Sequence, residues 1–381
     1  MRFPEFSGEW KAETIVDACT LYNGRAYKQE ELLPIGKYRV LRVGNFFTND
    51  SWYYSDLELD EQKTIVEGDL LYAWSASFGP RFWTGEKAIY HYHIWKVIPK
   101  EHIDKDYLYH FLYKDSLIIK SRTQGGTMVH VTKGDMEKRP ISFPCLEEQR
   151  KIAKLLSLLD ERIVTQNKII EKLQSLIKGL NDHILKNIEG DQVCFADLGE
   201  AYGGLSGKSG DDFGCGNPFI TYMNVYQNTY ISENDYELVQ IAPDEKQNSV
   251  QYGDALFTLS SETPEEVGMG AVYLGKSQKL YLNSFCFGVH FHGNRVLPQY
   301  IAHFISSTSF RKAIYPLAQG STRFNLQKQD FMRMKFVLPS LEEQERIATA
   351  LDALHNHLAN EKLLTEQYLL LKQFLLQQMF I

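Results

Sequence analysis

The chain has 381 residues, of which 44% are hydrophobic and 23% charged, so it can fold into two or three domains and is not disordered throughout. The 41 Lys and Arg against 48 Asp and Glu give a net charge of −7. This excludes a highly basic, nonspecific coat for nucleic acid, but it allows local basic surfaces.

The cysteines and the apolar runs indicate a cytoplasmic protein. Five scattered cysteines, none in a C-x-x-C pair, are typical of reduced thiols rather than of disulfides or a zinc knuckle. The first residues have no long apolar run, and no stretch of about 18 uncharged apolar residues occurs. We therefore expect neither a signal peptide nor a membrane span.

An internal repeat organises the chain. Residues 124–153 align with residues 319–348 without a gap, and the run Leu-Glu-Glu-Gln at 146–149 recurs at 341–344. Weaker similarities upstream, such as Gly-Asp at 68–69 and 253–254, have other offsets and indicate loops of different length. The repeat predicts a tandem duplication, with a domain at 1–143, a long helix at 144–189, a domain at 190–338 and a long helix at 339–381.

Both predicted domains contain short strands and a short helix, which is an α+β pattern. Runs of Tyr, Phe, Val and Ile predict strands at 38–43 and 88–95 in the first domain and at 219–223 in the second. Short helices are expected at 104–121 and 298–314. Each domain is long enough to bury a core of its own.

Each long helix has an apolar stripe in alternating steps of three and four residues, which is a heptad-like seam. The first seam is Ile152, Leu156, Leu159, Ile163, Ile170, Leu173 and Ile177, with Gln166 inside it. The second is Ile347, Leu351, Leu354 and Leu358, with Glu361 aligned to Gln166, and continues through Tyr368, Leu371 and Leu375. The seams predict an antiparallel coiled coil and a pseudo-twofold molecule. Further leucines at 363–364 and 369–371 indicate either a protein partner or packing onto the domains.

Enzyme motifs are incomplete in this sequence. The segment 203–209 resembles a phosphate-binding P-loop, but its spacing is one residue short and Tyr202 stands where the first glycine belongs. The His-x-His pairs at 91–93 and 290–292 have no Cys or carboxylate at ligand spacing, so no metal site is expected. No nucleophile elbow is present. The sequence predicts a binding protein without catalytic residues or a cofactor of its own.

Two similar domains on a rigid helical spacer suit a target with two half-sites, and double-stranded DNA is such a target. Arg suits guanine, Asn and Gln suit adenine, and Gly-rich turns allow the backbone to approach phosphates. We predict DNA contacts from the polar loops of the first domain, at Arg42, Asn45, Ser75, Ser77, Arg81, Arg122, Gln124, Thr127 and His130. In the second domain they are Lys208, Ser209, Tyr222, Asn224, Ser260, Ser261, Gln319, Ser321, Thr322, Arg323 and Asn325. Any one of these can instead be an ordinary loop residue.

The motif Pro-x-Leu-Glu-Glu-Gln-x-x-Ile-Ala opens both long helices, each time after a Gln-Gly-x-Thr segment. In this the chain resembles the specificity subunits of type I restriction-modification systems, and the layout agrees over its whole length. The resemblance implies that each domain reads one half of a split DNA site and that the helices set the unread gap. It also implies two docked modification subunits acting as an adenine methyltransferase, and restriction subunits. S-adenosylmethionine and ATP would then be bound by those partners.

Two other readings remain open. A coiled-coil protein scaffold with duplicated protein-binding domains would give no sequence-specific DNA footprint. A stand-alone methyltransferase or nuclease would have to bind S-adenosylmethionine or cut DNA itself. The net charge of −7 indicates that DNA affinity depends on partners, because neutralisation of phosphates supplies much of that affinity.

Overall fold

The computed structural model describes residues 2–47, 49–75, 78–122, 131–277 and 279–380, with only the backbone described for Arg122. The chain forms two compact units. Unit 1 comprises Met1–Asn167 and Leu363–Ile381, and unit 2 comprises Lys168–Lys362. Each unit combines one mixed α+β domain with parts of two long helices, so the predicted class is confirmed.

Unit 1 contains the first domain. Its strands β1–β10 are Lys11–Thr14, Cys19–Asn23, Tyr38–Leu41, Tyr53–Ser55, Thr64–Ile65, Leu70–Ala73, Gly79–Phe82, Ala88–Tyr90, Ile94–Pro99 and Pro140–Phe143. Its helices α1–α4 are Ile15–Ala18, Val43–Phe47, Lys105–Arg122 and Lys133–Glu137, and the long helix α5, Leu146–Lys186, begins here.

Unit 2 contains the second domain. Its strands β11–β22 are Asp191–Cys194, Gly199–Gly203, Phe213–Ile220, Tyr236–Val239, Ala255–Thr258, Ser260–Ser261, Gly270–Val272, Tyr281–Leu282, Cys286–Phe291, Ala318–Gln319, Phe324–Leu326 and Lys335–Leu338. Its helices α6–α10 are Phe195–Leu198, Tyr222–Gln227, Pro298–Ile305, Thr308–Ile314 and Lys328–Met332, and the long helix α11, Leu341–Met379, begins here.

The sheets of the two units repeat one topology. A four-stranded antiparallel sheet has the order β2-β9-β6-β7 in unit 1 and β12-β19-β15-β17 in unit 2. Each unit adds a sheet with a parallel pair, β3 with β8 and β13 with β18. In each domain the first and last strands pair antiparallel, β1 with β10 and β11 with β22, which closes the domain just before its long helix. The structure therefore supports the internal duplication.

The repeated Gly-Asp pair has the same structural role in both units. Gly68 and Gly253 have φ of 83° and 88°, a left-handed conformation that a residue with a side chain adopts only with strain. The next residue, Asp69 or Asp254, accepts a hydrogen bond from the backbone N–H three residues before it, 2.8 Å away in both units. The repeat thus marks a tight turn entering β6 and β15.

The repeated glutamine of the Leu-Glu-Glu-Gln run fills the same position in both units. Gln344 is buried; its Oε1 accepts from Leu297 N at 2.8 Å, and its Nε2 donates to Arg295 O and Pro339 O, both at 2.9 Å. Gln149 makes the same bonds to the corresponding backbone in unit 1, at Asp104 N, His102 O and Pro144 O. The amide satisfies backbone groups where a loop meets the helix start, which gives a physical reason for the repeated glutamine.

Several sequence predictions need correction at element ends. The predicted helix at 104–121 is α3, but the one at 298–314 is two helices, because Ser307 caps a new start and accepts from Phe310 N at 3.2 Å. The predicted strand at 88–95 breaks after Tyr90. The strand expected at 219–223 ends at Ile220, because Thr221 accepts from Asn224 N and caps α7.

Both long helices contribute to both units: α5 begins in unit 1 and ends in unit 2, whereas α11 begins in unit 2 and ends in unit 1. The seam positions predicted in both helices are buried or half-buried, with the exception of Leu371. The second seam was wrong at one position, because Leu371 is 44% exposed and the neighbouring Lys372 is buried instead. Lys372 forms an ion pair with Asp160 within unit 1, and its ammonium lies 4.3 Å from the Tyr113 ring centroid.

Among the residues that the structure describes, no helix is both long and apolar enough to cross a membrane. Over the same residues, no group of three His, Cys, Asp or Glu side chains is placed so that it could hold a metal ion.

Candidate nucleic-acid interface

Unit 2 has a surface cleft of about 310 Å³ between α7, β16, the loop after β16 and the residue before β21. Aromatic, hydroxyl and charged side chains line it together, and we call this cavity the unit 2 cleft. Its lining residues are Tyr222, Met223, Tyr226, Ser260, Ser261, Glu262, Glu266, Phe285 and Arg323.

Local sequence explains how α7 faces the cleft. The hydroxyl of Thr221 accepts the backbone N–H of Asn224 and starts the helix. The side chain of Asn224 is buried; it donates to Ser232 O at 2.8 Å and accepts from Ser232 N at 3.0 Å. Asn224 therefore fixes α7 to the rest of unit 2, and both ends of its amide are occupied within the protein.

The aromatic wall of the cleft is partly open to solvent. The rings of Tyr222 and Tyr226 stack with 6.0 Å between centroids and an interplanar angle of 17°. Phe285 and Met223 are 55% and 51% exposed, so two large apolar side chains of the cleft are accessible to a ligand. The Arg323 guanidinium lies 5.8 Å from the Phe285 ring centroid, a cation–π contact.

The charges in the cleft are set by local hydrogen bonds. Tyr226 donates to Glu266 at 2.7 Å, which lowers the pKa of Glu266 and raises the pKa of Tyr226. Burial raises the pKa of Tyr222, whose hydroxyl donates to Ser260 O at 2.8 Å. At neutral pH the cleft therefore combines the ionised Glu266 with the neutral phenols of Tyr222 and Tyr226.

A half-buried arginine, Arg311, holds the loop that presents the carboxylates. The Arg311 guanidinium donates to the backbone oxygens of Gly268 and Val267 at 2.6 Å and of Glu265 at 2.7 Å, and burial lowers its pKa. Gly268 has φ of 65°, and a Cβ there would lie 3.0 Å from Leu326. These contacts constrain the loop 262–268 against the domain.

Unit 1 presents arginines on aromatic rings in its own domain. The guanidinium carbon of Arg42 lies 4.2 Å from the Tyr53 centroid, and that of Arg81 lies 4.8 Å from the Phe47 centroid. Arg39 lies 5.4 Å from Trp52. Basic residues interleaved with aromatic rings are suited to contacts with phosphates and bases. We call these residues the unit 1 arginine cluster.

The predicted DNA-contact residues of unit 1 lie in different structural environments. Arg42 and Arg81 belong to the arginine cluster. Asn45 donates to Asn49 O at 2.9 Å and to Ser51 O at 2.6 Å, so it fastens the loop before β4. Ser75 is buried. Five predicted positions lie outside the described side chains: Ser77, Arg122, Gln124, Thr127 and His130.

In unit 2 the predicted residues Tyr222, Ser260, Ser261 and Arg323 come together in the cleft. Asn325 pairs with Ser260 in the β16–β21 ladder and with Gln319 in the β20–β21 ladder. Ser321 and Thr322 are exposed in the turn between β20 and β21.

Three predicted DNA-contact residues of unit 2 instead form hydrogen bonds within the domain. Lys208 is buried, donates to Gln240 O at 2.6 Å and pairs with Glu245, whose pKa it lowers to about 2. Ser209 donates its hydroxyl to Asp212 at 3.0 Å. With Asn224, these side chains hold the domain together, so we leave all three out of the proposed contact set.

Sequence reasoning missed several cleft residues. Met223, Tyr226 and Phe285 read as ordinary strand or core residues, because a one-dimensional pattern does not show which aromatic rings remain exposed. For unit 1 a signal was available, since the aromatic runs at 46–47 and 52–54 closely follow Arg39 and Arg42 in the sequence.

The duplicated domains, the paired long helices and an arginine–aromatic site in each unit define a protein with tandem recognition domains. The family model for the type I restriction modification DNA specificity domain matches residues 7–175 and again residues 205–367. The chain therefore belongs to the type I restriction-modification DNA specificity family, and it carries two copies of that domain.

Known proteins with related sequences match most of the chain. The chain is 24% identical to the type I restriction enzyme MjaVIII specificity subunit of Methanocaldococcus jannaschii, over 93% of this chain and 88% of that one. It is 24% identical to the EcoKI specificity subunit of Escherichia coli K12, over 91% of this chain and 82% of that one.

Solved structures share the fold. The crystal structure of the specificity subunit from M. genitalium superposes with a TM-score of 0.58 at 15% identity, covering 98% of this chain and 96% of that one. A chain from a structural study of type I restriction-modification complex assembly gives a TM-score of 0.59 at 16% identity, covering 97% of both chains.

Proposed function

We propose that this chain reads a split DNA sequence, with unit 1 contacting one half-site and unit 2 the other. The observation that carries the proposal is the duplication itself: two copies of a DNA specificity domain, each with arginine guanidinium groups held against aromatic rings. Arginine is the side chain best suited to bidentate contacts with guanine, and aromatic rings limit its conformational freedom. The relatives named specificity subunits support the same function.

The chain acts as a recognition subunit and supplies no catalysis or cofactor of its own. Lys208, the lysine of the P-loop-like segment, is buried against Glu245 and Gln240 O, so it is not free to bind a phosphate. S-adenosylmethionine and ATP are expected on partner subunits, which perform methylation, translocation and cleavage.

Two modification subunits dock on the chain, and part of that surface lies on α11. Leu363, Leu370 and Phe374 recur at steps of seven and four on one helix face and are 54%, 66% and 48% exposed. An apolar row of this kind in water is typical of a protein-binding surface. The long helices set the gap between half-sites, since the 41 residues of α5 span about 60 Å at 1.5 Å per residue. Restriction subunits join through the modification subunits.

The experiment is modified-base mapping of DNA from cells that express this chain with and without the modification subunit encoded beside it. We expect a two-part adenine-methylation motif only when both are present. If the two proteins form a complex and no motif appears, the DNA-reading function is refuted, and a protein-scaffold role takes its place.

A further inference from the structure

The rim of the unit 2 cleft has two side chains of opposite charge next to each other, Arg323 and Glu262. In the β16–β21 ladder Ser261 pairs with Phe324, so the residue after Ser261 and the residue before Phe324 are neighbours across the strands. Both side chains are exposed. Among the described residues, neither forms an ion pair within 4.0 Å, so each can engage an external ligand.

The Arg323 side chain and the backbone that carries Glu262 are constrained before any ligand arrives. Phe285 lies beneath the Arg323 guanidinium and favours one orientation of its plane. The backbone on either side of Glu262 is held by the Ser261 hydroxyl, which donates to Thr263 O at 2.6 Å and accepts from Thr263 N at 3.0 Å, and Arg311 binds backbone oxygens further along the same loop. Ordered side chains lose less entropy on binding, so this arrangement favours specific recognition.

The acidic neighbours of Arg323 make a phosphate a poor ligand. Glu262 and Glu266 line the same cleft, and Glu266 is kept ionised by the Tyr226 hydroxyl. Two carboxylates beside one guanidinium repel an anion. A base edge that offers both hydrogen-bond acceptors and a donor matches this charge pattern better than a phosphate does.

We propose that Arg323 and Glu262 together read one G·C base pair of the second half-site through the major groove. Arg323 donates to O6 and N7 of the guanine, and the Glu262 carboxylate accepts from the N4 amine of the cytosine. An A·T pair is rejected twice, because the adenine N6 amine faces the guanidinium and the thymine O4 faces the carboxylate. This inference rests on the proposed function of unit 2 as a DNA reader and adds the identity of a base pair.

The test uses the chain in complex with its modification subunits and a duplex library randomised in both half-sites. Wild-type complex should select a G·C pair at one position of the second half-site. Arg323→Ala should reduce discrimination at that position by about 5- to 150-fold, the range of one good bidentate contact. Glu262→Gln should reduce it at the same position by a smaller factor, because the amide keeps one acceptor oxygen but loses the negative charge. Selection at the first half-site should stay unchanged, which also shows that each variant is folded and assembled.

Matched controls are available in the same unit. Arg333→Ala removes an exposed guanidinium outside the cleft, and Glu265→Gln neutralises an exposed carboxylate three residues from Glu262 that does not line the cleft. Neither control should alter the selected sequence.

The outcomes separate this inference from the proposed function. In one set of outcomes the wild-type complex selects a split motif, and Arg323→Ala and Glu262→Gln relax it at two different positions or at no position. Either result overturns the base-pair assignment and leaves the DNA-reading function intact. An equal loss of affinity for every sequence assigns Arg323 to a phosphate and also overturns it. If the wild-type complex selects no motif, both the inference and the proposed function fail.

Discussion

Replacing Gln344 with leucine should destabilise unit 2 strongly, although leucine has nearly the same volume. The buried amide bonds Leu297 N, Arg295 O and Pro339 O, and leucine leaves all three backbone groups without that partner. An unpaired buried polar group costs about 1–3 kcal/mol. The groups of residues 295 and 297 are only partly buried, so we use the lower end of the range, which gives about 3 kcal/mol in total.

The assay is urea unfolding of the full chain, followed by circular dichroism for both units and by tryptophan fluorescence for unit 1, which contains all five tryptophans. With an m-value of about 3 kcal/mol/M, the midpoint of the unit 2 transition should fall by about 1 M. Gln149→Leu should do the same to unit 1, where the corresponding backbone groups are bonded. The control is Gln367→Leu, the same change at an exposed position of α11. A midpoint for Gln344→Leu that matches this control would refute the account of the repeated glutamine.

Three further changes test other parts of the structure. Arg311→Leu removes three hydrogen bonds to backbone oxygens, so amide hydrogen exchange in the loop 262–268 should accelerate by at least tenfold. Exchange in β19 should not change. Equal loop exchange in the variant and the wild type would show that Arg311 does not hold the loop. Burial lowers the pKa of His110 to about 3. Below pH 6.5 the unfolded chain therefore binds a proton at this histidine that the folded chain does not bind. Through His110, unit 1 should lose about 1.4 kcal/mol of stability for each pH unit below 6.5. His110→Gln should reduce the stability difference between urea titrations at pH 7 and pH 5 by the share due to His110, leaving the share of His91, whose pKa burial also lowers. An unchanged difference would show that His110 does not contribute. Leu370→Asp with Phe374→Asp should abolish co-purification with the modification subunit and leave the free energy of unfolding within about 0.5 kcal/mol of wild type, because both side chains are exposed. Undiminished co-purification would exclude this face.

The sequence was most informative where one local pattern has one physical meaning. The repeated Leu-Glu-Glu-Gln run located both long helices, and the steps of three and four located their buried faces. The error at Leu371 arose in a stretch of three leucines, where any of them could be assigned to the seam. The structure instead buries Lys372, because Asp160 and Tyr113 lie opposite it, and neither contact is visible in the pattern of α11 alone.

The site was only partly predictable for a similar reason. Arg323 and Tyr222 were found because polar and aromatic residues near strand ends are common in binding loops. Lys208 looked equally suitable, yet it pairs with Glu245, 37 residues further along the chain, and a contact at that separation leaves no local signal. The exposure of Phe285 likewise depends on which elements fail to cover it, and this is known only once the domain is folded.

The central claim is that each unit reads its own half of the DNA site, and two single variants test it most directly. Arg81 belongs to the unit 1 arginine cluster and Arg323 to the unit 2 cleft, and both side chains are exposed. Modified-base maps should be recorded for wild type, Arg81→Ala and Arg323→Ala, each expressed with the modification subunit. We predict that Arg81→Ala relaxes one half of the split motif and that Arg323→Ala relaxes the other. Relaxation of the same half by both variants, or of both halves by either one, would contradict the account.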